Sequence, residues 1–295
     1  MLNVLDISVI PKRAALHLER LTALFQEMGS ALVCYSGGVD SALVLALAHR
    51  TLGPQAIGMT AVSPSLAPFE KEAAIAVAQR IGARHELVES HEIDDPSYQA
   101  NDTNRCFYCK SELYSIAEKK QAEWQMAAIV NGTNLDDLGD HRPGLEAAKN
   151  AKVRSPFLEL EMNKSDVRAV AAAIGLEVWD KPAAACLSSR LPFGTSVTRE
   201  KLAQIGGLEA ELHALGLKQL RVRWHALGKA ENTDSGAIAR VEVAKDELAN
   251  AFAVRDAIVA AGKRFGFSYV TLDLQGYRTG SHNEMLIGRS LRVVS

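Results

Sequence analysis

The feature that most constrains the fold is a short glycine-containing segment, Ser36-Gly37-Gly38-Val39-Asp40-Ser41. An apolar run with β-branched and aromatic residues, 31–35, precedes it, and a run rich in alanine and leucine, 42–48, follows it. These flanks predict a buried strand and a buried helix. A glycine pair between them lets the backbone turn so that its amides face an anion at the helix N-terminus. The sequence therefore predicts a phosphate-binding loop, and an ordinary glycine turn is the alternative.

This loop differs from the two commonest phosphate-binding motifs. Neither G-x-x-x-x-G-K-[S/T] nor G-x-G-x-x-G occurs in the chain. The segment resembles instead the S-G-G-x-D-S loop of the ATP pyrophosphatases, which is called the PP-loop. The resemblance implies that ATP is cleaved to AMP and pyrophosphate, that a substrate is activated as an adenylate, and that residues 36–41 bind the pyrophosphate. The hydroxyls of Ser36 and Ser41 add donors to the backbone amides.

Size and charge exclude several classes of function. At 295 residues, of which 47% are hydrophobic, the chain is long enough for about two domains with real cores. No apolar run is long enough to span a bilayer, and residues 1–13 lack a signal-peptide pattern, so we expect a cytoplasmic protein. The net charge of −2 gives no sign of a surface that captures polyanions. We therefore expect neither a nucleic-acid partner nor a membrane partner.

Strands and helices alternate along the first two thirds of the chain. Apolar runs predict four strands, at 31–35, 56–62, 83–89 and 126–130. Helical spacing of apolar residues predicts helices at 12–28, 69–82 and 110–125. This rhythm predicts an α/β domain over residues 1–195, with a doubly wound, Rossmann-like parallel sheet. Ligands of such sheets lie beyond the carboxyl ends of the strands. Backbone groups at 60–65, including Ala61, are therefore predicted to contact the adenine.

The predicted fourth strand runs into a polar loop, 131–144, that is dense in glycine, asparagine and carboxylates. This loop lies at the same predicted sheet edge as the phosphate loop. Carboxylate oxygens beside phosphates suit Mg²⁺, so we predict nucleotide and Mg²⁺ contacts here, with Gly132 next to the nucleotide. A long solvated loop is the alternative.

Two further segments receive local predictions. Residues 91–103 are predicted to form a polar loop, and residues 155–160 a short extended segment. Asn163 or Ser165 is predicted to cap the next helix, which runs to Gly175.

The chain has four cysteines, and in a reducing compartment these indicate metal binding or catalysis rather than disulfides. Cys34 falls on the buried first strand and is predicted to be a packing residue. Cys106 and Cys109 form a C-x-x-C at a predicted helix start, where the helix dipole favours thiolates. Cys186 lies beside an arginine and two serines in a predicted loop, 181–194, so it is a candidate reactive or ligating thiol. A buried structural cysteine is the alternative.

From residue 196 the pattern changes to that of a smaller α+β domain, 196–295. The predicted elements are helices at 199–215 and 245–263, strands at 219–224, 237–243 and 267–272, and a polar loop at 228–236. Alternating polarity along the strands predicts a half-exposed sheet. Four charged residues fall on the polar positions: Arg221, Arg223, Arg240 and Glu242. A solvated sheet face and a site for phosphate or carboxylate explain them equally well.

Several stretches of the chain carry a more specific resemblance. They are SGGVDS, R-C-x-x-C-K, NGTN-x-DD-x-x-D-x-RPG, KPAAACLSSR, R-V-R, A-R-V-E-V and DLQGYRTGSHNE. Together they cover almost the whole chain and resemble the LarE family of PP-loop enzymes. The resemblance implies ATP-dependent sulfur insertion in the biosynthesis of the nickel-pincer nucleotide that lactate racemase uses. The implied substrate is pyridinium-3,5-biscarboxylic acid mononucleotide, which is converted through acyl adenylates to its thiocarboxylic acids.

The resemblance also assigns roles to residues of this chain. Mg²⁺ and the PP-loop, with Asp40, hold the departing pyrophosphate, and Lys110 lies near the phosphates of ATP. Arg221 and Arg223 bind the nucleotide phosphate of the substrate. The predicted substrate site is completed by Arg190, Arg240 and Glu242.

The sequence leaves more than one possible source for the sulfur. In one form of the family the cysteine equivalent to Cys186 is itself the donor and becomes dehydroalanine, and that form lacks the C-x-x-C. Because this chain has the C-x-x-C, our hypothesis is that Cys106, Cys109 and Cys186 hold a [4Fe–4S] cluster whose open iron carries a sulfide. The alternatives are a structural zinc with a histidine ligand, or a Cys106–Cys109 redox disulfide beside a sacrificial Cys186.

The expected partners are the small mononucleotide substrate, a sulfide source and further copies of the chain in a homo-oligomer. Two other functions are alternatives to sulfur insertion. A tRNA thiolase of the same superfamily would need a basic surface or an RNA-binding module, and neither is visible in the sequence. A non-catalytic adenine-nucleotide sensor would not need Asp40, the acidic loop and the set of thiols.

Overall fold

The computed structural model of the chain describes residues 11–138, 143–182, 184–228 and 236–278. Parts of the predicted loops at 131–144 and 228–236, and the end of the DLQGYRTGSHNE stretch, lie outside these ranges. The chain divides into two compact units. The first unit comprises the described residues within 11–63, 69–98 and 104–184, and the second comprises those within 64–68, 99–103 and 185–278. The predicted domain boundary after residue 195 stays a prediction.

The first unit is built on a parallel sheet. Its described strands are β1 (Ala31–Cys34), β2 (Ala56–Val62), β3 (Arg84–Glu89) and β4 (Ala128–Val130). They are hydrogen-bonded in the order β3-β2-β1-β4, and every pair is parallel. The strand order reverses direction between β1 and β4, which makes this pair the switch point where ligands bind in such sheets. The prediction of a doubly wound α/β sheet is confirmed.

Helices pack against this sheet. Those of eight or more residues are α1 (Lys12–Met28), α2 (Val39–Leu52), α3 (Pro68–Ile81), α5 (Arg105–Glu123), α6 (Pro143–Asn150) and α8 (Lys164–Ala173). Helix α2 is buried at every position from 41 to 48, which explains why its sequence is apolar throughout rather than amphipathic. Its core partners include Leu21 and Phe25 of α1 and Val170 of α8. These core contacts fix the N-terminus of α2 at the end of the loop that follows β1.

Several local predictions need correction. The segment 91–103 is not only loop, because it contains a 3₁₀ turn at Glu92–Asp94 and the short helix α4 (Pro96–Gln99). Residues 155–160 were predicted to be extended but form α7 (Pro156–Glu159), since proline suits the first position of a helix. Asn163 does cap α8, through a reciprocal capping box with Asp166.

The second unit contains a smaller mixed sheet. Its described elements are α9 (Arg199–Ala214), β5 (Leu220–Ala226), β6 (Ala237–Val243), α10 (Leu248–Ala253), α11 (Arg255–Arg264) and β7 (Tyr269–Leu272). The strands run in the order β5-β6-β7, with β5 antiparallel and β7 parallel to β6. The helix predicted over 245–263 is interrupted, because a 3₁₀ turn at Lys245–Glu247 precedes α10 and Val254 separates α10 from α11.

The prediction of a half-exposed sheet in the second unit is wrong for β5. Residues 220–224 of this strand are all buried, so its polar positions are covered as well as its apolar ones. Arg221 and Arg223 are among them, and Glu242 on β6 is also buried. A solvated charged face is therefore excluded at these positions. Across the described ranges, no helix is both long and apolar enough to cross a membrane.

Candidate active site

The phosphate loop connects β1 to α2 in the geometry that the sequence predicts. Gly38 is the N-cap residue of α2, and Gly37 before it has a φ of +75°. A Cβ atom on Gly37 would lie 2.8 Å from the Cβ and 2.9 Å from the Cα of Ala74 on α3. Only glycine combines this left-handed φ with so close an approach. The loop is therefore a tight backbone cradle at a helix N-terminus, where an anion is favoured.

The two serines of the loop stabilise its conformation through hydrogen bonds within the loop. The backbone N–H of Ser36 donates to Oγ of Ser41 over 3.1 Å, and the two hydroxyl oxygens are also 3.1 Å apart. The Ser41 hydroxyl lies 3.2 Å from the carbonyl oxygen of Gly38 and donates to it. These bonds close the loop on itself, so the cradle keeps its shape before a ligand arrives.

The loop after β4 lies against the same helix start. A Cβ atom on Gly132 would be 2.7 Å from the carbonyl carbon of Asp40 and 2.8 Å from the amide nitrogen of Ser41. Glycine is needed here because the two backbones touch across the switch point of the sheet. The proximity of Gly132 to the phosphate loop is thus real. Its contact with a nucleotide, like that of Ala61 near the end of β2, stays a prediction.

Asp40 is held by two residues that the sequence analysis missed. The ammonium of Lys164, the first residue of α8, pairs with Oδ2 of Asp40, and the side-chain amide of Asn134 donates to Oδ1 over 3.2 Å. Lys164 and Asp40 are 124 positions apart. No local pattern could have linked them. Asp40 is therefore fixed at the loop with its negative charge already balanced.

A second lysine, also missed from the sequence, contacts the loop backbone. Nζ of Lys181 lies 3.3 Å from the carbonyl oxygen of Gly37 and 2.8 Å from a carboxylate oxygen of Glu70 on α3. The KPAAACLSSR stretch begins at Lys181, but nothing in its composition identified this lysine as a neighbour of the loop. Two cations thus reach a phosphate loop that contains none of its own.

Lys110 lies among thiols. Cys106 and Cys109 are one turn apart near the start of α5, as predicted, and neither forms a disulfide with a described residue. Burial lowers the pKa of Lys110, but Tyr114 and the thiols of this group oppose it, and the net effect raises the pKa of the ammonium. Burial raises the pKa of Cys34 to about 12, so this thiol stays neutral and behaves as the predicted packing residue. The proposed contact of Lys110 with ATP phosphates stays a prediction.

The predicted metal site is not assembled among the described residues. No group of three or more His, Cys, Asp or Glu side chains within them is placed to hold a metal ion. Cys186 belongs to the second unit, where it is exposed at the start of a 3₁₀ turn, Leu187–Arg190. It is therefore not the buried structural cysteine of the alternative. The three-cysteine cluster lacks support from the structure and stays a prediction.

Arg190 anchors the segment that carries Cys186. Its guanidinium makes a two-pronged ion pair with Glu209 of α9, over 2.9 and 3.1 Å, and both side chains are buried. The same guanidinium donates to the backbone oxygens of Ala185 and Cys186 over 2.6 and 3.1 Å. A charge-assisted pair of this geometry is rigid. Arg190 therefore fixes the backbone next to the exposed thiol.

Arg223 and Arg240 share one carboxylate in the same unit. Nε of Arg223 donates to Glu242 over 3.1 Å, and another of its nitrogens donates to the carbonyl of Ser189 over 2.8 Å. Arg240 pairs with the second oxygen of Glu242 over 3.1 Å and also with Asp273. The structure thus brings together four of the predicted substrate residues, Arg190, Arg223, Arg240 and Glu242, through a continuous set of ion pairs and backbone contacts.

Arg221 is the exception in this group. Its side chain is only 9% exposed, and its guanidinium lies over the ring of Tyr277, 4.7 Å from the centroid. Within the described ranges its guanidinium forms no hydrogen bond or close ion pair, although the carboxylates of Glu242 and Glu209 attract it from a longer distance. Desolvation lowers the pKa of both Arg221 and Arg223. A buried arginine without a carboxylate of its own indicates an anion site, which favours that alternative over a solvated face.

A phosphate loop of this form, at the switch point of a parallel sheet, defines the PP-loop class of ATP-cleaving enzymes, which use ATP with Mg²⁺. In agreement, residues 19–123 match the NAD synthase family. The chain is 33% identical over 267 residues to the pyridinium-3,5-bisthiocarboxylic acid mononucleotide synthase of Lactiplantibacillus plantarum, covering 90% of this chain and 93% of that protein. The chain therefore belongs to the LarE family and is an ATP-using sulfurtransferase.

Two further relatives have no described function. An uncharacterized protein of Synechocystis is 44% identical over 273 residues, which are 91% of this chain and 97% of the relative. An uncharacterized protein of Methanocaldococcus jannaschii is 27% identical over 248 residues, which are 84% of this chain and 90% of the relative. Both similarities extend over the two units described above.

Proposed function

We propose that the chain converts pyridinium-3,5-biscarboxylic acid mononucleotide to its thiocarboxylic and bisthiocarboxylic acids, with one ATP used for each sulfur. The relative from Lactiplantibacillus plantarum is named for the doubly substituted product. The observation that carries the proposal is the buried, unpaired guanidinium of Arg221, because the substrate is an anionic mononucleotide.

In the first step a substrate carboxylate attacks the α-phosphorus of ATP, and the bond to the departing pyrophosphate breaks. Backbone amides of the phosphate loop stabilise the charge that develops on this leaving group, and the bonds between Ser36 and Ser41 hold the loop in shape. Carboxylates of the loop at 131–144, such as Asp136, would hold Mg²⁺, which supplies charge neutralisation, while Asp40 stays paired with Lys164. The product of the step is an acyl adenylate.

In the second step sulfur attacks the acyl carbon, and AMP leaves. If Cys186 is the donor, its sulfur forms a thioester. Loss of the α-proton and cleavage of the Cβ–S bond then release the thiocarboxylate and leave dehydroalanine. The exposed thiol and the rigid backbone around Cys186 are compatible with this route. The cluster hypothesis supplies the alternative donor, a sulfide, and the measurement below decides between the two.

Arginines of the second unit supply the substrate affinity in this proposal. Arg221 and Arg223 bind the nucleotide phosphate, and Glu242 orients Arg223 and Arg240 for that task. Arg190 acts through the backbone of the segment that holds Cys186. A cytoplasmic location, the sulfide source and a homo-oligomer remain predictions from the sequence.

The function is tested by pyrophosphate release. With ATP, Mg²⁺ and the pyridinium biscarboxylate mononucleotide, we expect pyrophosphate and AMP in equal amounts and a product in which sulfur replaces oxygen, identified by mass. The Arg221→Gln variant should raise KM for the mononucleotide by about tenfold or more, since it removes a charged contact. The Arg255→Gln variant, at an exposed position of α11, is the matched control. Pyrophosphate release with tRNA instead, or none with either substrate, would contradict the proposal.

The sulfur source is tested by metal analysis under strict anaerobiosis. If Cys106, Cys109 and Cys186 hold a [4Fe–4S] cluster, the protein should be brown and contain about four irons and four sulfides per chain, and about five sulfides when the open iron carries its own. A colourless, iron-free protein that still makes product rules the cluster out. In that case the intact mass should fall by one H₂S after turnover, because Cys186 has become dehydroalanine.

A further inference from the structure

We propose that Lys181 binds the β- and γ-phosphates of ATP and the pyrophosphate product at the phosphate loop. This inference rests on the proposed function and adds a residue to it. The observation behind it is the position of Nζ, 3.3 Å from the carbonyl oxygen of Gly37 in the centre of the loop. The contact is with a carbonyl oxygen and the anion faces the loop amides, so Nζ turns from Gly37 toward those amides to reach the ligand.

The charge of the ligand requires such a residue. Bound ATP carries several negative charges on its outer phosphates, and backbone amides and hydroxyls supply only partial positive charges. P-loop enzymes meet this need with the lysine of their motif. The segment from Ser36 to Ser41 contains no cationic residue. Any cation that the protein adds to the charge of Mg²⁺ therefore comes from elsewhere in the chain.

Three lysines of the first unit are candidates, and the contacts separate them. Lys164 is committed to the carboxylate of Asp40. The charge of Lys110 interacts with Tyr114 and with the thiols of this group. Lys181 contacts the loop itself. Its ammonium has three N–H groups, and the described residues provide acceptors for two of them, Gly37 and Glu70. One N–H remains for a phosphate oxygen.

Glu70 is suited to position this ammonium. The ion pair is 2.8 Å long, and its side chains are 14% exposed for Glu70 and 22% for Lys181. At this depth the pair interacts more strongly than one on the surface. Without ATP, Glu70 balances the charge of Lys181. A phosphate oxygen is a stronger acceptor than the neutral carbonyl of Gly37, so it replaces that contact when ATP binds.

The test compares three ligands on the intact chain by calorimetry. Lys181→Gln should weaken binding of ATP and of inorganic pyrophosphate by about tenfold or more, and that of AMP by less than about twofold, since AMP lacks the outer phosphates. Lys181→Arg should restore part of the loss. Lys119→Gln, which removes an exposed lysine of α5, should bind all three ligands like the native chain.

A double variant removes the main ambiguity. Lys181→Gln leaves Glu70 without its partner, and that defect alone could disturb the loop. Lys181→Gln with Glu70→Gln leaves no unpaired charge, and we expect the same selective loss of pyrophosphate. Equal losses for ATP and AMP, or no loss, overturn the inference about Lys181 alone. A native chain that binds neither ATP nor pyrophosphate overturns the proposed function as well.

Discussion

Replacing Gly37 by alanine should weaken ATP binding by about a hundredfold or more while leaving most of the chain folded. The new Cβ atom would lie 2.8 Å from Cβ and 2.9 Å from Cα of Ala74, at a residue whose φ is +75°. The loop has to move, because the Cα of Ala74 cannot yield without shifting α3. Losing two charge-assisted hydrogen bonds to phosphate, at about 1.5–3 kcal/mol each, gives this factor. Calorimetry with ATP measures it.

Gly29 provides the matched control for this substitution. Its φ is +71°, nearly that of Gly37, but a Cβ atom there would meet nothing within 4 Å. The only cost of Gly29→Ala should therefore be backbone strain, which lowers the free energy of unfolding by about 1–2 kcal/mol. The variant should bind ATP like the native chain. If both variants lose ATP to the same extent, the cause is general destabilisation, and the close contact with Ala74 has no special role.

The phosphate loop could be predicted from the sequence because its constraints are local. The strand, the glycine pair and the helix follow one another without a gap, and each has a periodicity or composition of its own. The same holds for the other strands of the first sheet. The contact between Gly132 and the start of α2 was partly predictable, since parallel strands end at a common edge.

Contacts between distant segments were not predictable in this way. Lys164 reaches Asp40 across 124 positions and Lys181 reaches Gly37 across 144. A single lysine in the sequence of a helix or loop does not identify a contact, because most such lysines are simply solvated. The side chains of β5 show the same limit. Alternation predicted which residues share a face, but not that Arg223 would donate to the carbonyl of Ser189 or that Arg221 would lie over the ring of Tyr277.

The largest loss of stability is expected from Glu209→Ala. Glu209 is 1% exposed and accepts from Arg190 through both oxygens and from the backbone N–H of Val222 over 2.9 Å. Removing it leaves a guanidinium, itself 5% exposed, without its carboxylate. Breaking a buried pair from one side costs about 3–5 kcal/mol of unfolding free energy. Urea unfolding followed by tryptophan fluorescence measures it, with Trp224 on β5 as the reporter in this unit.

Two further variants show whether the cost comes from the unpaired charge. Glu211→Ala, two residues along α9, removes an exposed carboxylate paired with Arg264, and should cost less than about 1 kcal/mol. Replacing Arg190 and Glu209 together by methionine removes both charges and should restore much of the stability that Glu209→Ala loses. If the double variant is no more stable than the single one, the backbone contacts of Arg190 with Ala185 and Cys186, rather than its charge, hold this part of the unit together. The same double variant would then also lose the fixed position of the Cys186 backbone, and with it sulfur transfer from that thiol.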